Sequence, residues 1–261
     1  MNATKSLLFL LLLFSMSSLD AQPDTTAKKA PSPYWHRSVF LMGASFQLQE
    51  PVGDLSRRFG LNQNVGFTAT YFHKTDLFGE IEFNYLFGRN LKEEASSIFD
   101  GIMDSKGQII NINGEYSDYL LMERGFWLGG NLGYVFRPLK QHRYWGIMLK
   151  LGAGILEHKI RIDNSSNNTP QINGEYAKGY DHLTSGFSLK QTIGITYLPI
   201  RGTTNFFIGI EAVQAWTYNR RAYNFNEGKA ETAQRFDGLF GLKAGWFIAI
   251  YKRDASNYLY F

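Results

Sequence analysis

Two stretches of this chain keep strict period-two alternation far longer than chance allows, and that pattern constrains the fold more than any other feature. From Trp145 to Ile155, the residues Trp145, Ile147, Leu149, Leu151, Ala153 and Ile155 alternate with Gly146, Met148, Lys150, Gly152 and Gly154. From Phe240 to Ile250, the residues Phe240, Leu242, Ala244, Trp246, Ile248 and Ile250 alternate with Gly241, Lys243, Gly245, Phe247 and Ala249. Successive side chains of a strand point to opposite faces, so each stretch reads as a strand with one large apolar face and one small or charged face. The same pattern recurs with more interruptions. Val65, Phe67, Ala69 and Tyr71 oppose Gly66, Thr68 and Thr70; Ile81, Phe83, Tyr85 and Phe87 oppose Glu82 and Asn84. Phe126, Leu128, Leu132, Tyr134 and Phe136 oppose Gly129, Asn131 and Gly133. Ile193, Ile195 and Tyr197 oppose Lys190, Thr192, Gly194 and Thr196, and Phe206, Ile208, Ile210 and Ala212 oppose Gly209 and Glu211. A first strand around Val39–Leu48 has ambiguous facing, which brings the candidates to eight.

The connections sort by length. Lys74–Gly79, Arg137–Arg143 and Pro199–Thr203 are short, whereas Glu50–Gln63, Gly88–Tyr116, Asp163–Ser185 and Asn219–Asp237 are long. Membrane barrels alternate short periplasmic turns with longer outer loops in this way, and their strands set an apolar face to lipid and a polar one to the lumen. The sequence therefore predicts an all-β fold: an eight-stranded antiparallel up-and-down transmembrane β-barrel over residues 37–252, with short periplasmic turns and longer outer loops. The long loops are rich in Asn, Ser, Gly, Lys and Glu and read as solvated, with at most a short amphipathic helix in Glu93–Met103 as loop decoration.

The N-terminus carries Lys5, an apolar run from Leu7 to Phe14, and then Leu19-Asp20-Ala21-Gln22, the layout of a signal peptide over 1–21 cleaved after Ala21. That run is too short for a transmembrane helix, which needs about 20 apolar residues. Residues 22–36, with Lys28-Lys29-Ala30-Pro31-Ser32-Pro33, read as a flexible periplasmic leader, and 253–261 as a C-terminal tail outside the last strand. The chain has no cysteine, which excludes lipid-acylated cysteine, disulfides and thiolate metal sites. Its net charge of +4 is spread out with no basic run interleaved with aromatics, so no nucleic-acid partner is expected. The expected location is the outer membrane of a Gram-negative bacterium.

The predicted inward faces carry charge. Glu82, Lys150, Lys190, Glu211 and Lys243 all point into the lumen, where an unpaired ion is costly, so they are expected to form a network that plugs the barrel. An eight-stranded barrel is filled by side chains rather than open, which favours a plug over a conducting pore. Trp145, Trp216 and Trp246, with Trp35 and Tyr218, fall near strand ends or on outward faces and read as interfacial anchors, with a sugar- or peptide-binding platform as the alternative. The histidines His36, His73, His142, His158 and His182 lie in no Gly-x-Ser-x-Gly or His-x-Ser-Asn context and read as solvated loop or strand-end residues. No catalytic constellation, cofactor site or metal-ligand spacing emerges.

The Ala21-Gln22 cleavage style, Pro51-Val52-Gly53-Asp54-Leu55 after the first strand, and the strand spacing together resemble the small outer-membrane β-barrel proteins of Bacteroidota, a group that includes barrels associated with type IX secretion. Asp24-Thr25-Thr26 resembles the O-glycosylation sequon of that phylum, and Phe261 is similar to the terminal aromatic that barrel assembly factors recognise. The resemblance covers most of residues 37–252 and implies a barrel lineage rather than one activity. The leading expectation is a structural or interaction barrel in outer-membrane lipid, an accessory subunit of an envelope assembly or secretion machine contacting a protein partner through loops or turns. A lipid-modifying enzyme and a soluble ligand-binding β-barrel stand as alternatives. A loop-facing histidine within reach of a serine or aspartate would favour the former, and inward apolar residues around a cavity the latter.

Overall fold

The computed structural model describes residues 38–138, 144–164, 168–199, 205–226 and 228–250. The expected signal peptide, leader and C-terminal tail, together with Trp35, His36 and His142, lie outside the described residues, as does part of two of the three short turns. Eight strands follow one another: β1 (Val39–Gly53), β2 (Asn62–Phe72), β3 (Leu77–Gly88), β4 (Leu120–Phe136), β5 (Trp145–Asp163), β6 (Thr184–Tyr197), β7 (Asn205–Asn219) and β8 (Arg235–Ile250). Each pairs antiparallel with its neighbour in sequence, and β8 closes on β1 from Phe40↔Ile250 to Gly53↔Asp237. The ring is the predicted eight-stranded up-and-down barrel, and closure leaves no strand edge unpaired.

The facing follows the alternation. On β5 and β8 the large apolar residues are exposed, among them Leu151 at 68% and Leu242 at 64%, while Lys150 and Lys243 are buried inside. Outward apolar positions run from Trp145 to Ile155 on β5. At ~3.3 Å per residue and a tilt near 40°, that is about 25 Å of height, the thickness of the apolar band of a membrane barrel. A soluble barrel would put those side chains in water, and its ligand cavity would not hold the charges seen here. The ambiguity of β1 resolves as Phe40, Met42, Ala44, Phe46 and Leu48 outward, with Val39 and Leu41 inward. Both faces are apolar at that end because the inner residues build the barrel floor. β1 also runs past Leu48, so Pro51-Val52-Gly53 belongs to the strand rather than following it.

Three layers fill the interior. At the short-turn end Phe72, Phe78, Val135, Met148, Leu198, Phe207 and Phe247 close an apolar floor with Val39 and Leu41. A polar layer occupies the middle. Above it the long loops fold inward, contrary to the reading of them as solvated decoration. They carry α1 (Leu55–Arg58), α2 (Ala95–Ile98), the 3-10 turns Asp100–Ile102 and Pro170–Ile172, and α3 (Gly174–Ala177). Leu55, Phe59, Ile98, Phe99, Ile109 and Ile172 from these loops pack on Trp127, Leu156, Ile160, Val213 and Leu239 of the strands. The expected helix in Glu93–Met103 is a single α-turn followed by a 3-10 turn, and its Ile98 and Phe99 are fully buried. The loops are polar in composition, but enough apolar side chains lie among them to make a cap.

Candidate functional site

The polar layer is the chemical centre of the barrel. It brings together all five charged residues expected there, from five different strands, and adds Glu80 of β3. Glu80 escapes a sequence reading that begins the outward pattern of that strand at Ile81. Lys150 Nζ donates to Glu80 Oε1 at 2.8 Å and lies 3.8 Å from Glu82 Oε2. Lys243 Nζ bridges Glu82 and Glu211, donating to Glu211 Oε2 at 2.7 Å and to Glu82 Oε1. Lys190 Nζ sits 3.3 Å from Glu82 and 3.4 Å from Glu211, and 3.4 Å from the centroid of the Trp127 ring. Three ammonium groups and three carboxylates thus share one site with no net charge.

Neutral neighbours complete it. Asn131 donates to Glu80 at 2.9 Å and Glu82 at 2.7 Å, Asn84 to Glu82 at 2.9 Å, Thr70 to Glu80 at 2.9 Å and Thr192 to Glu211 at 3.1 Å. A buried ion pair offsets its desolvation better when further hydrogen bonds satisfy its lone pairs, and these contacts do so for Glu80 and Glu82, whereas Lys190 Nζ and Glu211 Oε1 meet each other only as an ion pair at 3.4 Å. Glu82 is the hub, fully buried between all three lysines. Trp127 anchors the upper side, its indole N–H donating to Ser188 Oγ at 2.8 Å. Sequence alone hides this residue, because a tryptophan among apolar neighbours does not announce that it points inward. The clue is glycine. A Cβ on Gly129 would come within 2.7 Å of the Trp127 ring and one on Gly154 within 2.9 Å, so the two facing glycines make room for it.

Towards the cap the lumen stays polar. Asn64 donates to Gln47 at 2.9 Å and Gln49 at 3.1 Å, and Asn62 to Glu123 at 2.9 Å. His158 is buried, not solvated at a strand end: its Nε2 lies 2.9 Å from Asp237 Oδ2, and the Thr217 hydroxyl donates to the same carboxylate. His182 is likewise 1% exposed. Its backbone has φ 47, its ring nitrogens make no hydrogen bond, and burial with the nearby Arg58 guanidinium lowers its pKa to about 4. Arg58 itself is held on the loop side by Glu93, 2.8 Å from its Nε. His73 is the solvated exception, with Nδ1 2.9 Å from Thr75 Oγ1 in the β2–β3 turn.

The three outward tryptophans among the described residues fall at the two rims. Trp145 packs on Tyr197 and Phe206 at 4.8 and 5.7 Å near the short turns, with Trp246 paired in register to Phe206. Trp216 stacks on Phe187 at 6.4 Å towards the loops.

No family model matches the chain, and no curated protein is detectably similar in sequence. Solved structures do resemble it. Neisserial surface protein A shares 13% identity at a TM-score of 0.39, over 79% of this chain and 96% of its own. The attachment invasion locus protein Ail of Yersinia pestis shares 12% at a TM-score of 0.39, over 81% and 99%. The N-terminal β-barrel domain of Pseudomonas aeruginosa OprF shares 11% at a TM-score of 0.36, over 80% and 97%.

Proposed function

We propose that this chain is an outer-membrane barrel with a structural or interaction role, serving as an accessory subunit of an envelope assembly or secretion machine. The observation that carries the reading is the neutral Lys/Glu layer locked between an apolar floor and a folded cap. The interior is consumed by structure, which leaves the surfaces of the barrel, loops and turns to do the work. The outward apolar band supports the membrane location, and the sorting of loop lengths supports placing the cap on the outer side.

The alternative of a lipid-modifying enzyme draws on the His158–Asp237 pair. It is the weaker reading, because the imidazole faces the lumen beneath the cap at 1% exposure. The hydroxyl beside the pair, on Thr217, donates to the carboxylate rather than to the imidazole.

The test is photo-crosslinking in intact cells from positions on the cap surface, with Tyr176, Tyr223 and Phe225, all well exposed, as the sites of the crosslinking residue. Discrete adducts with a protein of the envelope support the interaction role. Their absence at every cap and turn position, with the barrel still heat-modifiable and in the outer-membrane fraction, overturns it.

A further inference from the structure

On the outward face of β4 and β5, just above the apolar band, the register sets Arg124 directly opposite Lys159. Like charges facing each other across a ladder destabilise it, so packing gives no reason for this pair. Arg161 follows on the same face of β5, two residues beyond Lys159. The Arg124 side chain is pinned from within its own strand: Nη1 donates to the Glu123 carbonyl at 2.8 Å and Nη2 lies 3.3 Å from Met122 Sδ. Of the two carboxylates nearby, Asp181 is committed to Arg221 and Glu157 is a single charge beside three cations. Asp181 is 3.8 Å from Lys159 but takes two hydrogen bonds from Arg221, and Glu157 stands beside the cluster opposite Phe126.

Arg124, Lys159, Arg161 and Glu157 line one surface cavity of about 340 Å³, three cations against one carboxylate, with Tyr85 and Phe126 forming its aromatic wall. Its height is fixed by the strands. Ile155 and Leu128 face each other as the last aliphatic pair of the band, Phe126 follows on β4, and Arg124 and Lys159 come next. That is the level of lipid headgroups, with acyl chains directly below.

We propose that this cavity binds the phosphomonoester headgroup of an outer-leaflet lipid. Directly opposed strand residues lie about 4.5–5.5 Å apart at Cα, so two long cationic side chains can reach one tetrahedral anion, Lys159 with its ammonium and Arg124 with the N–H groups not turned to Glu123 and Met122. The aromatic wall takes the upper methylenes of the acyl chains. The anion also removes the repulsion that the bare pair carries. This site rests on the membrane-spanning reading above, and lipid rather than free phosphate is the ligand because the cavity opens onto the apolar band.

The full chain is reconstituted into nanodiscs of phosphatidylcholine alone or with a minor share of phosphatidic acid. Retained lipid is counted by native mass spectrometry, and the thermal midpoint is read in parallel. The native protein should retain phosphatidic acid over phosphatidylcholine, and Arg124→Gln with Lys159→Gln should cut that retention by about fivefold per cation removed. The exposed pair Lys106→Gln with Lys229→Gln, which changes net charge equally, should leave it intact. In phosphatidylcholine alone the Arg124/Lys159 variant should melt no lower than the native protein, whereas a merely structural role for the two cations would lower the midpoint in both lipids. Equal retention of the two lipids, or equal retention by the two variants, overturns the proposal. Full displacement by inorganic phosphate reassigns the site to a free anion and overturns the lipid assignment. A chain that enters no disc and shows no heat shift sinks the membrane reading and this site together.

Discussion

Glu211 shows how finely the interior is balanced. Fully buried, it accepts from Lys243 and Thr192 and faces Lys190 at 3.4 Å. Glu211→Gln keeps the shape and removes one negative charge, leaving three ammonium groups against two carboxylates. Breaking a buried pair from one side costs about 3–5 kcal/mol. The gel temperature at which the folded band converts to the unfolded one should fall clearly, and an unchanged conversion would show that the layer is not a structural unit. His182 makes a second, pH-dependent prediction. Its folded pKa of about 4 lies below the unfolded value near 6.5, so the unfolded chain binds more protons between the two. Stability is therefore fully present above pH ~6.5 and is lost as pH falls towards ~4, by about 1.4 kcal/mol per unit at most. Arg58, Glu93, Glu231 and Arg235 act on the same histidine, and Glu231, whose pKa is lowered by Asn219 and nearby arginines against its burial, loses stability in the same direction at still lower pH. His182→Asn suits a residue at positive φ and should flatten the slope between pH 6.5 and 4 in thermal melts. The five lumenal charges were legible from parity alone, because an ionised side chain opposite a run of lipid-facing residues has only the lumen to enter. Their pairing was not: Lys243 and Glu82 are 161 residues apart, and no local pattern carries that contact.

At the scale of elements, the strands were readable because lipid and lumen impose opposite demands on alternate residues for the full height of the band. Legibility fails wherever those demands relax. Val39 and Leu41 are inward and apolar because they form the floor, so β1 lost its contrast. Beyond the band β5 continues to Asp163 with charged residues on its outer face, where water replaces lipid. The cap was missed for a related reason: its apolar residues are scattered through polar loops without a period. Phe99 is the sharpest case, fully buried against Tyr119 and Tyr180 at ring distances of 5.4 and 5.2 Å. Truncating a buried phenylalanine costs about 3–5 kcal/mol, but here the loss falls on the cap: its side chains pack on the inward strand residues, while the backbone hydrogen bonds of the strand ladder do not pass through it. Phe99→Ala should make the segment 89–119 quickly cleaved by added protease while the barrel keeps its heat shift. Loss of both together would mean that cap and barrel fold as one unit.

For the whole molecule, the question is whether the cap is a lid over a pathway or the top of a solid plug. A lid needs open space beneath it. What lies beneath is the Asn64–Gln47–Gln49 and His158–Asp237 contacts, then the neutral layer centred on Glu82, then a floor including Phe72, Phe78, Phe207 and Phe247. Inward strand residues, with Leu198 of a short turn, supply the last two layers, so neither depends on the long loops. Replacing 89–119 with a short Gly-Ser turn between β3 and β4 should therefore remove much of the cap without opening a path. Planar-bilayer recordings should show no discrete ohmic steps for either the native protein or the shortened one. Steps from the shortened form alone would make the cap a gate and require the charged layer to rearrange when uncovered. Steps from both would contradict the plugged barrel, because a hydrated path through the Glu82 layer would have to part lysines from the carboxylates that compensate their burial.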